Sequence, residues 1–140
     1  MLVRLLYTSR AADSHGGAVS SIMQQSHAYN PQQGITGLLC HSDSLYLQVL
    51  EGGREQVNRL YGKIARDPRH VDVVLLHYEE ISERRYAGWT MGQANLNKLN
   101  PGMLLRYSAL PEFNPYALTG KSSLALIDEL MASAAIIGRA

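Results

Sequence analysis

Three features of the 140-residue sequence predict an α+β domain built on one sheet. Short apolar runs of strand length are separated by two stretches of helical periodicity. They follow one another as β-α-β-β-α-β with one further strand. Finally, 46% of the residues are hydrophobic, enough for a sizeable core in a single domain.

Residues 2–8, LVRLLYT, read as the first strand, with Val3, Leu5 and Tyr7 on one face. The loop SRAADSHGG follows, and its glycine pair leads into a helix whose face is marked by Val19, Ile22, Met23 and Ser26. Asn30-Pro31 is expected to end it, because a residue before proline is pushed out of the helical region. Residues 34–41, GITGLLCH, form the second strand, and Ser42-Asp43-Ser44 a tight turn into the third at 45–52, LYLQVLEG. These two strands are expected to pair as a hairpin. Val57, Leu60, Tyr61 and Ile64 mark the buried stripe of a second helix, which starts after Gly53 and stops near Asp67-Pro68. Residues 71–78 form a β-branched fourth strand, 79–85 a polar turn, and 86–94, YAGWTMGQA, a fifth strand.

This order is the split βαβ arrangement of ferredoxin-like folds, with two helices on one face of the sheet. In the third strand Leu45, Leu47 and Val49 oppose Tyr46, Gln48 and Leu50, so both faces need a cover. The tail from residue 95 is expected to supply the second cover. It carries a connection, LPEFNPYALTG, and then a helix with Leu124, Ile127, Met131 and Ala134 on one face. Leu126, Leu130 and Ile137 widen that face enough to suggest contact with another subunit. Residues 1–94 are thus expected to form the binding domain, and 95–140 a helical extension of the same unit.

Composition excludes several classes. A net charge of +1, from 13 basic and 12 acidic residues, leaves no basic stripe for nucleic acid. The lone Cys40 rules out a disulfide framework and points to a reducing compartment. No apolar run approaches a membrane span and no signal peptide opens the chain, so a cytoplasmic location is expected. His15, His27, His41, His70 and His77 are scattered, without metal-ligand spacing. P-loop, dinucleotide and nucleophile-elbow motifs are missing from the sequence.

What remains is a set of polar groups on apolar elements. Gln48 stands at the centre of a buried strand, where an amide is costly unless its hydrogen bonds are met. Tyr7, Trp89 and Met91, also on strands, read by pattern alone as core residues, and Asn30 as a helix cap. Lys63, Arg66, Asp67, Arg69 and His70 gather at the end of the second helix. The helix dipole favours cations there, which makes a solvated terminus the plain reading and a phosphate or ribityl contact the sharper one. The residues alone imply a polar ligand between helices and sheet, without naming it.

The stretches RLLYTSRA, AYNPQQGITGLL, YLQVLEGGREQVNRLYGKI, DPRH and YAGWTMG, in this order and spacing, resemble the BLUF domains, blue-light sensors that bind a flavin. The resemblance covers residues 3–92, and the tail looks like the two-helix cap of the short, single-domain members. It implies that Tyr7 is the photoactive tyrosine and that Gln48 lies between it and the flavin. It makes Asn30 a hydrogen-bond partner of the isoalloxazine edge and Ile22 an apolar wall against the ring. Trp89 and Met91 become the strand-five pair that responds to the glutamine. Asp67, Arg69 and His70 fall on the ribityl-phosphate side, and Tyr29 at a position that can stack on the ring or on adenine. Lys63 stands where many relatives carry arginine, keeping the charge but losing bidentate phosphate geometry.

The cofactor implied is a flavin, FAD with FMN as the other candidate, bound non-covalently. Light-driven electron and proton transfer from the tyrosine by way of the glutamine would leave that amide rearranged, by rotation or tautomerisation. A chain this short is expected to have no enzymatic activity of its own, to signal to a separate effector protein and to form a homo-oligomer. No nucleic acid, membrane or metal is expected as partner. An acylphosphatase-type hydrolase or an RNA-binding module shares the fold, but Ser9-Arg10-Ala11 is a poor phosphate loop and the aromatic strand signature is missing.

Overall fold

The structure, a computed structural model, describes residues 1–13 and 17–133. His15 and Gly16 at the first glycine pair, and Ala134 and Ile137, expected on the face of a last helix, fall outside the described residues. The elements run β1 (Leu2–Ala11), α1 (Ala18–Gln33), β2 (Thr36–His41), β3 (Leu45–Gly53), α2 (Arg54–Arg66), β4 (His70–Ile81) and β5 (Gly92–Asn95). The tail adds two short 3-10 turns, α3 (Pro101–Leu105) and α4 (Gly120–Ala132). The sheet order is β4-β1-β3-β2-β5. β3 lies antiparallel between β1 and β2, β4 lies antiparallel outside β1, and β5 runs parallel to β2 at the other edge. This is the ferredoxin-like arrangement with one strand added, and β2 and β3 form the expected hairpin.

Two cores sandwich the sheet, as an apolar strand with period-2 alternation on both sides requires. On one face Val3, Leu5, Tyr7, Tyr46 and Leu50 pack against Val19, Ile22 and Met23 of α1 and Val57 of α2. On the other, Leu6, Leu38, Cys40, Leu47 and Val49 pack against Leu104 of α3 and Leu124, Leu126, Ile127 and Leu130 of α4. The broad apolar face of α4 is therefore taken up by the sheet within one chain. Leu126 and Leu130 are both buried there.

Several boundaries differ from the sequence reading, each for a physical reason. α1 runs through Pro31 to Gln33: in the last turn a proline forfeits only one N–H bond. The helix ends instead at Gly34, which takes the left-handed conformation (φ 67°) and turns its N–H back to Asn30 and Pro31. β1 continues to Ala11, so Ser9-Arg10-Ala11 is strand rather than a phosphate loop. β4 absorbs Glu79–Ile81, expected as turn, because that stretch pairs with residues 2–4 of β1. β5 is only four residues long. The stretch before it, with Trp89 and Met91, is not a strand.

What holds that stretch is a buried ion pair. Glu51, fully buried, accepts from Arg4 Nε (2.9 Å) and from the backbone N–H groups of Arg85 (3.1 Å) and Tyr86 (2.7 Å). Arg4 reaches on to Glu79 at 2.8 Å. Arg85 and the Tyr86 hydroxyl both donate to Asp128 of α4 at 3.1 Å. One carboxylate thus ties β1, β3 and the 84–91 segment together, and Asp128 extends the tie to the cap helix.

Candidate functional site

The register of β1 against β3 places Tyr7 opposite Gln48, on the face covered by α1 and α2. Directly opposed residues share a face, so the two side chains meet. The Tyr7 hydroxyl donates to Gln48 Oε1. That fixes the amide's orientation and turns Nε2 toward Met91 Sδ, 3.3 Å away. A primary amide has two N–H groups and two oxygen lone pairs. Tyr7 takes one lone pair and a weak thioether acceptor takes one N–H, so half of the capacity of Gln48 is left. Burial pushes the Tyr7 phenol well above its ordinary range, with Tyr61, Tyr46 and Asp67 adding. Tyr7 is a neutral donor at any physiological pH.

Met91 is held in place from both ends. His27 of α1 bonds its carbonyl through Nε2 at 3.0 Å, and the Trp89 carbonyl accepts the Gly37 N–H at 2.9 Å. The two side chains part company: Met91 joins the core under α1 and α2, while Trp89 packs against the core under α4. The structure brings Met91 to Gln48 and sends Trp89 to the opposite face of the sheet.

Above Gln48 lies a cavity of about 540 Å³ between α1 and α2. That is within the roughly 300–1,000 Å³ range of small-molecule sites. Ile22, Gln25, Ser26 and Tyr29 line it from α1 at one-face spacing, joined by Ala28, Asn30 and Gln32. Leu60, Lys63 and Ile64 line it from α2, followed by Asp67, Arg69 and His70. Every expected binding residue except Tyr7, which lies behind Gln48, is at this wall. Gln25, Ser26, Ala28, Gln32, Leu60 and Ile64 were not anticipated, although for most of them the i, i+3, i+4, i+7 series from Ile22 to Tyr29 and from Leu60 to Asp67 carries that information.

The polar groups of the wall divide into satisfied and unsatisfied. Arg69 spends its fork on Asp67 (2.5 to 3.1 Å), Ser21 (3.1 Å) and Gln25 (2.5 Å). Its hydrogen bond holds the Asp67 carboxylate below the usual range. The Lys63 ammonium sits 4.6 Å over the Tyr29 ring. His70, buried, bonds Ser9 Oγ through Nδ1 at 2.7 Å, and burial pushes its imidazole down to about 4. Asn30 is different. It is 1% exposed, yet its Nδ2 has no partner. A buried amide N–H left unmade costs about 1–3 kcal/mol, which a ligand carbonyl would recover. Among the described residues no group of His, Cys, Asp and Glu is placed to hold a metal ion, and no helix is long and apolar enough to cross a membrane.

Comparison with known proteins agrees with this geometry. Residues 2–92 match the model of the BLUF family, described as sensors of blue-light using FAD. Over 95 residues the chain is 40% identical to photoactivated adenylate cyclase subunit beta of Euglena gracilis, a match that covers 66% of this chain. The chain spans only 11% of that relative's length. Among solved structures, BlsA in its photo-activated state superposes with a TM-score of 0.83 at 29% identity, covering 94% of this chain and 95% of the other. The dark-state structure of BlrB, a BLUF protein, gives 0.76 at 29% identity, covering 95% and 96%.

Proposed function

From a chain that belongs to the BLUF family, the flavin-binding blue-light sensors, we propose that the Gln48 amide is the switch and that Tyr7 and Met91 set its resting orientation. The observation that carries this reading is the hydrogen-bonded series Tyr7–Gln48–Met91 on the floor of a cavity whose wall holds the unpaired Asn30 Nδ2. The residues fit a flavin. Asn30 and the unused half of Gln48 suit the carbonyl and ring nitrogens of an isoalloxazine edge. Ile22, Leu60 and Ile64 are apolar walls for its faces. Lys63 is the wall cation left for a phosphate, since Arg69 is committed to Asp67, Ser21 and Gln25.

When bound, the flavin supplies absorption of blue light and takes up and returns one electron. Tyr7 gives up that electron, and its phenolic proton has Gln48 Oε1 as the acceptor already in place. Once that proton has moved on by way of the amide, Tyr7 no longer donates, nothing holds Oε1 toward it, and the amide is free to exchange its donor and acceptor ends. Met91 then faces an oxygen where it faced an N–H. A swapped hydrogen bond in a buried site is worth about 1 kcal/mol or more, enough to shift a two-state population about fivefold. Gln48 lies three residues before Glu51, which holds the 84–91 segment, and Tyr86 and Arg85 pass that hold to Asp128 on α4. We take this as the route by which the amide reaches the cap and a separate effector protein.

On this reading the chain senses without catalysing and works in the cytoplasm. Its expected self-association finds support in Val71, Val74 and Leu75, apolar side chains exposed on the β4 edge, and light scattering on the purified protein measures it. The deciding experiment is an absorption spectrum before and after blue light. Yellow protein with a reversible red shift is the expected result. Colourless protein that takes up no flavin on refolding would overturn the proposal.

A further inference from the structure

One buried pair at the cavity has no part in the switch as described. His70, the first residue of β4, lies between two tyrosines. Its ring is 6.0 Å from that of Tyr7, edge-on, and 5.0 Å from that of Tyr46, tilted. Ser9 stands two residues beyond Tyr7 on β1, opposite Tyr46 in the register, and is fully buried. Its hydroxyl meets His70 Nδ1 at 2.7 Å. The His70 ring also lines the cavity.

A neutral imidazole has one N–H and one bare nitrogen, and the partner at Nδ1 decides which is which. We propose that Ser9 is a positioning residue for the photoreaction, acting through His70. Its hydroxyl keeps the ring neutral, in one tautomer and one plane, beside Tyr7, and leaves Nε2 for the ligand. The inference rests on the flavin photosensor reading. In that reaction Tyr7 loses one electron to the light-excited flavin and its phenolic proton to Gln48, and both return on recombination. A cation at the distance of His70 opposes the loss of an electron from Tyr7; a neutral ring does not.

The groups that face His70 are Tyr7 and Ser9 from β1, Tyr46 from β3, and Asp67 and Arg69 from the connection after α2. Lys63 of α2 lies on the same cavity. Asp67 and Arg69 are bound to each other, so their opposed charges largely cancel at the ring. Burial is the leading cause that keeps it neutral, and on this proposal a Ser9 hydroxyl that donates to Nδ1 adds to it.

The test compares flavin-loaded wild type, Ser9→Ala and Ser9→Thr. The yield of the red-shifted state is followed across about pH 5 to 8, the range in which histidines change charge. Histidine ¹⁵N spectra, with His70 assigned through His70→Gln, report tautomer and charge directly. Wild type and Ser9→Thr are expected to hold their yield across the range, with His70 neutral and in one tautomer. Ser9→Ala is expected to lose up to about half of its yield by pH 5, with the His70 midpoint raised by about one unit toward its ordinary value near 6.5. If Ser9→Ala matches wild type in both readouts, the proposal is overturned while the photosensor reading stands. Wild type that gives no red shift overturns both. If Ser9→Ala does not fold, the wild-type ¹⁵N spectrum decides: a single neutral tautomer at pH 7 supports the proposal, and a protonated or mixed ring overturns it.

Discussion

At the scale of single residues, the site depends on which polar atoms are paired and which are not. Tyr7→Phe removes the hydroxyl that orients Gln48, and Gln48→Leu removes the amide. Neither opens or closes the cavity, so both variants should keep flavin and lose the normal red shift, as absorption spectra before and after light will record. Asn30→Ala removes an N–H that has no partner within the chain. Flavin affinity should fall about five- to tenfold, the worth of one hydrogen bond of about 1 kcal/mol, in a fluorescence titration. His70 gives a pH signature. Its folded value of about 4 lies below its unfolded value near 6.5, so between these limits only the unfolded chain holds the proton. Stability should therefore decline as pH falls from about 6.5 toward 4, by on the order of 2 kcal/mol, in urea melts at fixed pH. Gln48 was legible in the sequence, because an amide on an apolar strand stands out. Ser9 was not: one serine among many acquires meaning only when β1 and β4 are laid side by side.

At the scale of elements, the strands and helices were legible from periodicity, and their ends were not. Glu79 and Glu80 look like turn residues, yet an edge strand can run on through charges, here with Glu79 paired to Arg4 and Glu80 exposed. Tyr86 to Met91 alternate like a strand, yet their backbone bonds go to Glu51 and Gly37, and no local pattern reveals partners so distant. Gly37 deserves a test of its own, since β2 approaches β3 so closely there that an added Cβ would lie 2.0 Å from the Val49 carbonyl oxygen. Gly37→Ala must push the hairpin apart or rotate β2. It should cost at least about 3 kcal/mol in chemical denaturation, or prevent folding. Because Gly37 also donates to Trp89, the damage should reach the segment that carries Met91.

At the scale of the whole molecule, the apolar tail was legible as the second cover of the sheet, with Leu124, Leu126, Ile127 and Leu130 packed on it. Period-2 strands require a cover on both faces, but sequence cannot say whether the covering helix comes from the same chain. The structure adds a polar tie from β3 to that cover. Glu51→Gln places an NH₂ group against Arg4 and the Arg85 N–H, or against the Tyr86 N–H, all of them donors. It should destabilise the fold by about 3 kcal/mol, toward the lower end for a broken buried ion pair because Glu79 still faces Arg4. Asp128 and its tyrosine should loosen with it, visible as faster hydrogen exchange in α4.

The unpaired Asn30 amide has a further consequence, for the life of the protein in a cell. Asn30 Nδ2 has no partner within the chain, and a bound cofactor would supply one. At about 100 times its dissociation constant a ligand adds about 2.7 kcal/mol, lowering the unfolded fraction roughly a hundredfold. Proteases act on that fraction. Chains that meet no flavin are therefore degraded first, and pulse-chase decay should be faster in flavin-starved cells than in supplied ones. Turnover then keeps blind copies scarce, so the pool of sensor that accumulates is the pool that can see.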